Sequence, residues 1–483
     1  MLKLRAKLST LAYHLVPSRI FRLFFPYPPS GLASSTQGDT LLGLQKRHEA
    51  FLFFSVSDAD EFKKKALREH TIHDITTTAD VVRFDEEIRY YRDHHPNGWS
   101  DHVRGLNVAF TAAGLAKFGV DIDACFDEHA AFRLGQEKDA KENLGDPLLK
   151  HLAPSIVLIK RRDGVVRPGS QAGHEHFGFR DACTRPTVIG FNDKSRPPGD
   201  VGSPTSTFFV AAPSGKDPHA KEKRWMEDGS FMVLRELQQK VPEFEKWCED
   251  TAQMAEGRQV SPELIAARAV GRWKNGVPLA LSPDTDYKPD LVNNFRAREN
   301  FNFSNDLGQE NCPYAAHIRK ANPRKGTCPT HVDTESHRIL RSGIPYGPEV
   351  TSEEAAQNRT IHERGLFFVC YQSSIEQGFQ FIQKNWLNDP SFPPGNAAKI
   401  DRPGEDLIAG QKAVKSLSAS GKEKAASEIE EDDGAAVRTV QGIKPGHPQD
   451  PLNTVSAPRF VVPRGGEYFF TPSVPGLKYL GGL

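Results

Sequence analysis

The 483-residue chain has no charge bias: Lys plus Arg number 62 and Asp plus Glu number 62, so the formal net charge is zero. A chain without a bulk field does not gather DNA or an anionic membrane, although local basic clusters could still act. No run of about 18 apolar residues occurs, so no apolar helix spans a bilayer. No C-x-x-C pair occurs either. The six cysteines, Cys125, Cys183, Cys248, Cys312, Cys328 and Cys370, are scattered. That argues against a disulfide framework and against zinc held by paired thiolates. The Gly-rich fingerprint of a dinucleotide fold is absent, which favours mixed α+β over a doubly wound sheet. Acidic residues are missing from the first 38 positions, which carry Lys3, Arg5, Lys7, Arg19 and Arg22. There, Leu4, Leu8, Leu11 and Leu15 recur at helical spacing until Pro17. His14 and Pro17 interrupt the apolar stretch that a secretory signal needs. A transit peptide, a membrane-surface helix or a disordered tail all fit residues 1–36.

What is present begins near Gln37. "AFLFFSV" and "PSIVLIKRR" read as strands, and "DADEFKKKALREH" as a helix capped by Asp58. "LNVAFTAAGLAKFGV" has a strand-like start and a helix-like end. Residues 192–228 are rich in Pro, Gly and Ser and read as a long surface connection. "MVLRELQQKVPEFEKWCEDTAQ" carries helical spacing. "RGLFFVCYQSSIEQGFQFIQKNWLND" reads as a strand, a turn and a helix. Residues 416–436 form a charged, low-complexity insert. "RFVVPRGGEYFFTPSVPGL" returns to strand and turn.

Three stretches carry candidate chemistry. In "CPYAAHIRKANPR", His317 follows two alanines and precedes Arg319, Lys320 and Arg324. About two helical turns fit before Asn322 and Pro323. Small neighbours and nearby cations suit a flat anionic group such as haem, and a half-buried histidine bonded to backbone also fits. In "SHRILRSGIPYGPE", alternation sends Arg338 and Leu340 one way and Ile339 and Arg341 the other. An arginine on an apolar face needs an anion, which is either a ligand or a core carboxylate. In "HFGFRDACTRPTVIGF", Asp181 lies between aromatic and small residues, as a proton carrier or as a turn cap.

Together these stretches resemble the dye-decolourising peroxidases, in particular the fungal branch of that haem peroxidase family. "GFRDA" at 178–182 matches the family's G-F-x-D-G segment. "CPYAAHIRKANPR" matches its C-P-[FY]-x-A-H-x-R-K-x-N-P-R segment, and "RILRSGIPYG" its arginine before an I-P-[FY]-G turn. The resemblance covers most of residues 37–475 in order. It implies two ferredoxin-like α+β domains, each an antiparallel sheet with helices packed on it. A first domain over 37–175 and a haem-binding domain over 176–483 are expected.

The resemblance also implies haem b with His317 as the iron ligand, and Asp181 and Arg338 as acid–base and charge stabiliser across the macrocycle. Asp406 would bond the proximal imidazole, with Glu405 its competitor. Leu366 and Phe368 would line the distal pocket, and Arg319 would meet a haem propionate. Tyr346 and Trp386 match electron-relay positions. The implied reaction reduces hydrogen peroxide through an oxoferryl intermediate. Phenolic, dye-like or other aromatic compounds are then oxidised by one-electron steps. The family's fungal members are often exported. Ala182 departs from the family glycine and would cost about 1 kcal/mol if the backbone there needs φ > 0.

Other readings are a haem carrier or degenerate peroxidase, a thiol hydrolase on Cys312 or Cys370, and a metal site at His174 and His176. The reference pKa of Asp is ~3.9 against ~6.5 for His. Peroxide turnover through Asp181 is therefore expected to favour acid pH. A rate profile that is flat from acid to neutral, or that rises toward alkali, contradicts Asp181 as the carrier.

Overall fold

The computed structural model describes residues 31–41, 47–64, 67, 72–84, 105–134, 156–181, 183, 185–191, 196–197, 200, 202–255, 260–325, 327, 333–394, 400–411, 438–445 and 453–483. The basic tail before residue 31, Ala182 and the 416–436 insert lie outside these.

Two strands rich in β-branched and aromatic residues open the structure. β1 (His48–Val56) pairs antiparallel with β2 (Ile156–Val165), with an irregularity between Phe53 and Phe54. The main sheet is built on β3 (Ser230–Gln239). This strand lies between β6 (Gly365–Gln372) and β9 (Val461–Thr471), antiparallel to both. Two short strands, β4 (Leu340–Arg341) and β5 (Ile344–Tyr346), pair with the far edge of β6. β7 (Arg438–Gln441) and β8 (Thr454–Ala457) form a separate ribbon. The expected α+β class with antiparallel sheets is the fold observed, and no closed barrel forms among the described residues. No helix of the described residues is long and apolar enough to cross a membrane.

The two faces of the main sheet do different work. On one, Leu234, Phe367, Val369 and Tyr371 pack against Phe51 and Phe53 of β1. On the other, Phe231, Val233, Cys370 and Phe470 join Leu115, Phe126 and Phe132 in a second apolar cluster, to which the helix α1 (Ala112–Lys117) contributes. Further along that second face stand Arg235, Leu237, Leu366 and Phe368, with the Phe379 ring close to both Arg235 and Phe368. They line a cavity. The cross-strand register explains this, because Arg235 is opposite Phe368 and Leu237 opposite Leu366. Directly opposed residues project to the same side.

The stretch 232–253, read as helical in sequence, is a strand followed by a helix. β3 runs to Gln239, and α2 (Val241–Gln253) starts there with Pro242 in its first turn. Leu, Arg, Glu and Gln favour helices, but pairing on both edges and burial override that weak preference. Residues 192–228 do not simply run over the surface, because Phe208, Phe209 and Trp225 are buried.

Behind the cavity, α2 packs on α3 (Pro262–Val270), which is capped by Ser261 and closed by Gly271. Gly271 has φ = 95°, and a Cβ there would stand 2.4 Å from Ile318. Only glycine takes this conformation freely and admits the next helix so closely. That helix, α4 (His317–Ala321), carries the candidate ligand.

Candidate functional site

α4 is five residues long, not two full turns, and begins at His317 itself. Its approach is fixed by Asp306, whose carboxylate accepts from the backbone N–H of Asn311 (2.9 Å) and Cys312 (2.9 Å). The two alanines before His317 are fully buried and serve packing: Ala315 joins the core behind α2, and Ala316 the cluster beside Gly271. Neither lines the cavity.

The cations after His317 are mostly engaged inside the protein. Arg319, expected at a propionate, is fully buried and lies outside the cavity lining. Its guanidinium bonds Asp306 at 3.0 Å and lies 4.4 and 4.2 Å from the Phe303 and Tyr314 ring centres. Helix periodicity turns residue 319 away from the face that 317 presents. Lys320 donates to the carbonyls of Asp389, Phe392 and Gly404, each at 2.9 Å, and burial pushes its ammonium down to about 8. Arg324 does reach the cavity, paired with Glu299 at 2.8 Å and stacked on Phe301.

His317 is oriented by Asp406. Its Nδ1 lies 2.7 Å from the Asp406 carboxylate, which is fully buried. The other carboxylate oxygen accepts from the N–H groups of Ile408 and Ala409, both at 2.7 Å. Burial alone would raise this carboxyl, but His317 and the two amides hold it below its usual range. A carboxylate can only accept, so the imidazole proton sits on Nδ1. The Nε2 lone pair is then left for the cavity. Arg438 fastens the Asp406 loop by donating to the carbonyls of Asp406, Leu407 and Gly410. Sequence reading missed Arg438, which lies just beyond the charged insert.

The cavity is about 1250 Å³ and is lined by His317, Asp181, Arg341, Leu366, Phe368 and Trp386 among others. Asp181 follows a tight turn in which Gly178 has φ = 90°. The Glu175 side chain accepts from the amides of Phe177 (3.0 Å) and Phe179 (2.8 Å), and the Asp181 amide donates to Gly173 at 2.9 Å. Asp181 pairs with Arg341 at 3.0 Å. Arg338, the arginine expected there, lines the same cavity but pairs with Asp200 at 3.0 Å and Glu335 at 2.7 Å. The two arginines are three residues apart, and the short strand β4 aims the second one at Asp181.

The relay candidates separate. Trp386 lines the cavity within a cluster formed by His337, Phe381 and Phe392. Tyr346 is outside the lining, stacked on Phe367 at 4.5 Å, with a buried hydroxyl that has no partner. The other readings do not assemble. His176 bonds the Tyr346 carbonyl at 2.8 Å, and burial pushes it down to about 4. Among the described residues no three His, Cys, Asp or Glu side chains converge for a metal. Cys312 and Cys370 are buried away from the cavity, and burial raises both thiols, Cys312 to about 12.

Known families and relatives match most of the chain. Residues 35–166 match the DyP dimeric alpha+beta barrel domain, and residues 187–392 match the C-terminal domain of Dyp-type peroxidases. The chain is 35% identical to Peroxidase 2 of Mycetinis scorodonius, over 92% of this chain and 86% of that one. It is also 35% identical to a dye-decolorizing peroxidase of Mycena epipterygia, over 92% and 85%. Among solved structures, an ancestral D-type dye decolorizing peroxidase superposes with a TM-score of 0.76 at 38% identity, covering 93% of this chain and 99% of that one. A fungal DyP-type peroxidase from Auricularia auricula-judae gives 0.74 at 32%, covering 94% and 99%.

Replacing Asp406 by asparagine tests the clamp on His317. The amides of Ile408 and Ala409 would keep the side-chain oxygen, turning its NH₂ toward Nδ1. The ring proton would then move to Nε2 and block ligation. Iron-porphyrin affinity is expected to fall ~10–100-fold, read from the Soret band of the titrated protein. An affinity equal to wild type contradicts the clamp.

Proposed function

Because the chain belongs to the dye-decolorizing peroxidase family, whose members are oxidoreductases acting on hydrogen peroxide, we propose that it is a haem b peroxidase working through His317, Asp181 and Arg341. The observation that carries this reading is the meeting of the His317–Asp406 hydrogen bond and the Asp181–Arg341 ion pair at one large cavity.

The residues fit haem. Ordinary ligand pockets run to roughly 300–1,000 Å³, and this one is larger. The protein offers one imidazole nitrogen, and among the described residues no group of three metal ligands forms, which suits an iron whose remaining ligands would come with the porphyrin. Haem bound there supplies a redox-active iron that takes up the oxidising equivalents of peroxide and passes them to reductants one electron at a time.

The protein's own part is proton handling and charge placement. Asp181 takes a proton from the incoming hydrogen peroxide and delivers it to the departing oxygen, which leaves as water. Arg341 directs guanidinium N–H groups toward the negative charge that builds as the O–O bond lengthens, and it holds Asp181 in place meanwhile. Leu366 and Phe368 keep this side apolar and limit competing water. Arg338 already has two carboxylate partners, so the charge-stabilising role passes to Arg341.

Reductants too large to enter would be oxidised through Trp386, which joins the cavity wall to an aromatic cluster. Tyr346 is the weaker relay. A tyrosine that loses an electron must also shed its phenolic proton, and its buried hydroxyl has no acceptor. The reducing compounds are aromatic donors such as phenols and dyes.

Stopped-flow mixing with peroxide separates the two arginines. Arg341→Leu is expected to slow the first peroxide-dependent spectral change ~100–1,000-fold. Arg338→Leu is expected to slow it less than tenfold while lowering thermal stability, since Asp200 and Glu335 lose their partner. The opposite order returns the role to Arg338. A haem spectrum with no peroxide turnover in wild type supports a carrier instead.

A further inference from the structure

Most arginines of the cavity wall have carboxylate partners. Arg272 and Arg324 share Glu299, Arg338 has Asp200 and Glu335, and Arg341 has Asp181. Arg235 is different. Among the described residues no carboxylate or carbonyl reaches it, its Nε is buried without a partner, and it lies 5.7 Å from the Phe379 ring centre. It stands on β3, the middle strand of the main sheet, between Phe368 of β6 and Gly466 of β9. Gly466 contributes no side chain opposite it. Burial pushes its guanidinium below the usual arginine range, partly offset by Tyr468 and Cys370. A cation placed this way is retained where the occupant of the cavity brings the anion.

We infer that Arg235 is the carboxylate anchor of this cavity and takes one propionate of the haem, an inference that rests on the haem reading above. A planar guanidinium matches a carboxylate with two parallel N–H donors. A rigid central-strand position suits a resident group. A carboxylated reductant that must come and go would more readily use the exposed Arg180 at the rim.

The test uses the full chain loaded with haem. Arg235→Met keeps the length of the side chain and removes the charge; Arg235→Lys keeps the charge and loses the fork. Haem transfer to excess apomyoglobin, followed in the Soret region, is expected to be ~10–100-fold faster from Arg235→Met, with Arg235→Lys between it and wild type. The haem-free Arg235→Met protein is expected to unfold at the same temperature as haem-free wild type or higher, because an uncompensated buried charge has gone. Haem dimethyl ester, which lacks both carboxylates, should leave wild type at least as fast as ordinary haem leaves Arg235→Met, and esterification should speed haem loss less in the variant than in wild type.

Equal haem loss from wild type and Arg235→Met overturns the inference. Unchanged haem retention with a raised KM for carboxylated reductants alone also overturns it and gives Arg235 to the reductant. A large drop in the unfolding temperature of the haem-free variant overturns it too, because Arg235 would then be supporting the fold itself. A wild-type chain that takes up no haem overturns the haem reading and this one with it.

Discussion

The hydrogen bond between His317 and Asp406 is the constraint on which the site depends. It decides which ring nitrogen carries the proton, and therefore which one faces the cavity. The surrounding structure holds both ends of it still. Asp306 fixes the turn before α4, Gly271 lets α3 press against Ile318, and Lys320 and Arg438 tie down the carbonyls around Asp406. Lys320 and Arg438 do not line the cavity. They take up backbone carbonyls that would otherwise be buried without donors, and so hold the proximal wall in place.

The sheet side of the cavity is built on different physics. The main sheet gives one face to packing against β1 and shares the other between an apolar cluster and the cavity. Strand register brings Arg235, Leu237, Leu366 and Phe368 to the same side. Asp181 and Arg341 come from a glycine turn and a two-residue strand. The cavity lining thus includes an imidazole nitrogen and a paired carboxylate and guanidinium. The proposed peroxide chemistry would use both: a site for iron at His317, and proton transfer with charge stabilisation at Asp181 and Arg341.

Much of this was legible in the sequence, and the failures have physical causes. His317, Asp181, Asp406, Leu366, Phe368 and Trp386 were marked by motif, and the structure places them at or beside one cavity. Sequence reading gave the charge-stabilising role to Arg338, but both arginines lie in one short apolar stretch, and only tertiary pairing shows that Arg341 is the one that meets Asp181. Arg319 looked like a cofactor contact because it is cationic and two residues from the ligand; a helix rotates it into the core. The alanines before His317 serve close helix packing, which sequence cannot distinguish from space left for a ligand. β3 was read as helix because its residues favour helices locally, and pairing on both edges prevailed. Arg235 was passed over for the same reason. An arginine within an apparent helix carries no sign that it faces a cavity unpaired.

The most direct measurement is resonance Raman spectroscopy of the haem-loaded ferrous protein, comparing wild type with His317→Gly. Wild type is predicted to show an iron–histidine stretching band that disappears in His317→Gly and returns when free imidazole is added. The same band in His317→Gly without imidazole would mean that another residue holds the iron, and would contradict the account.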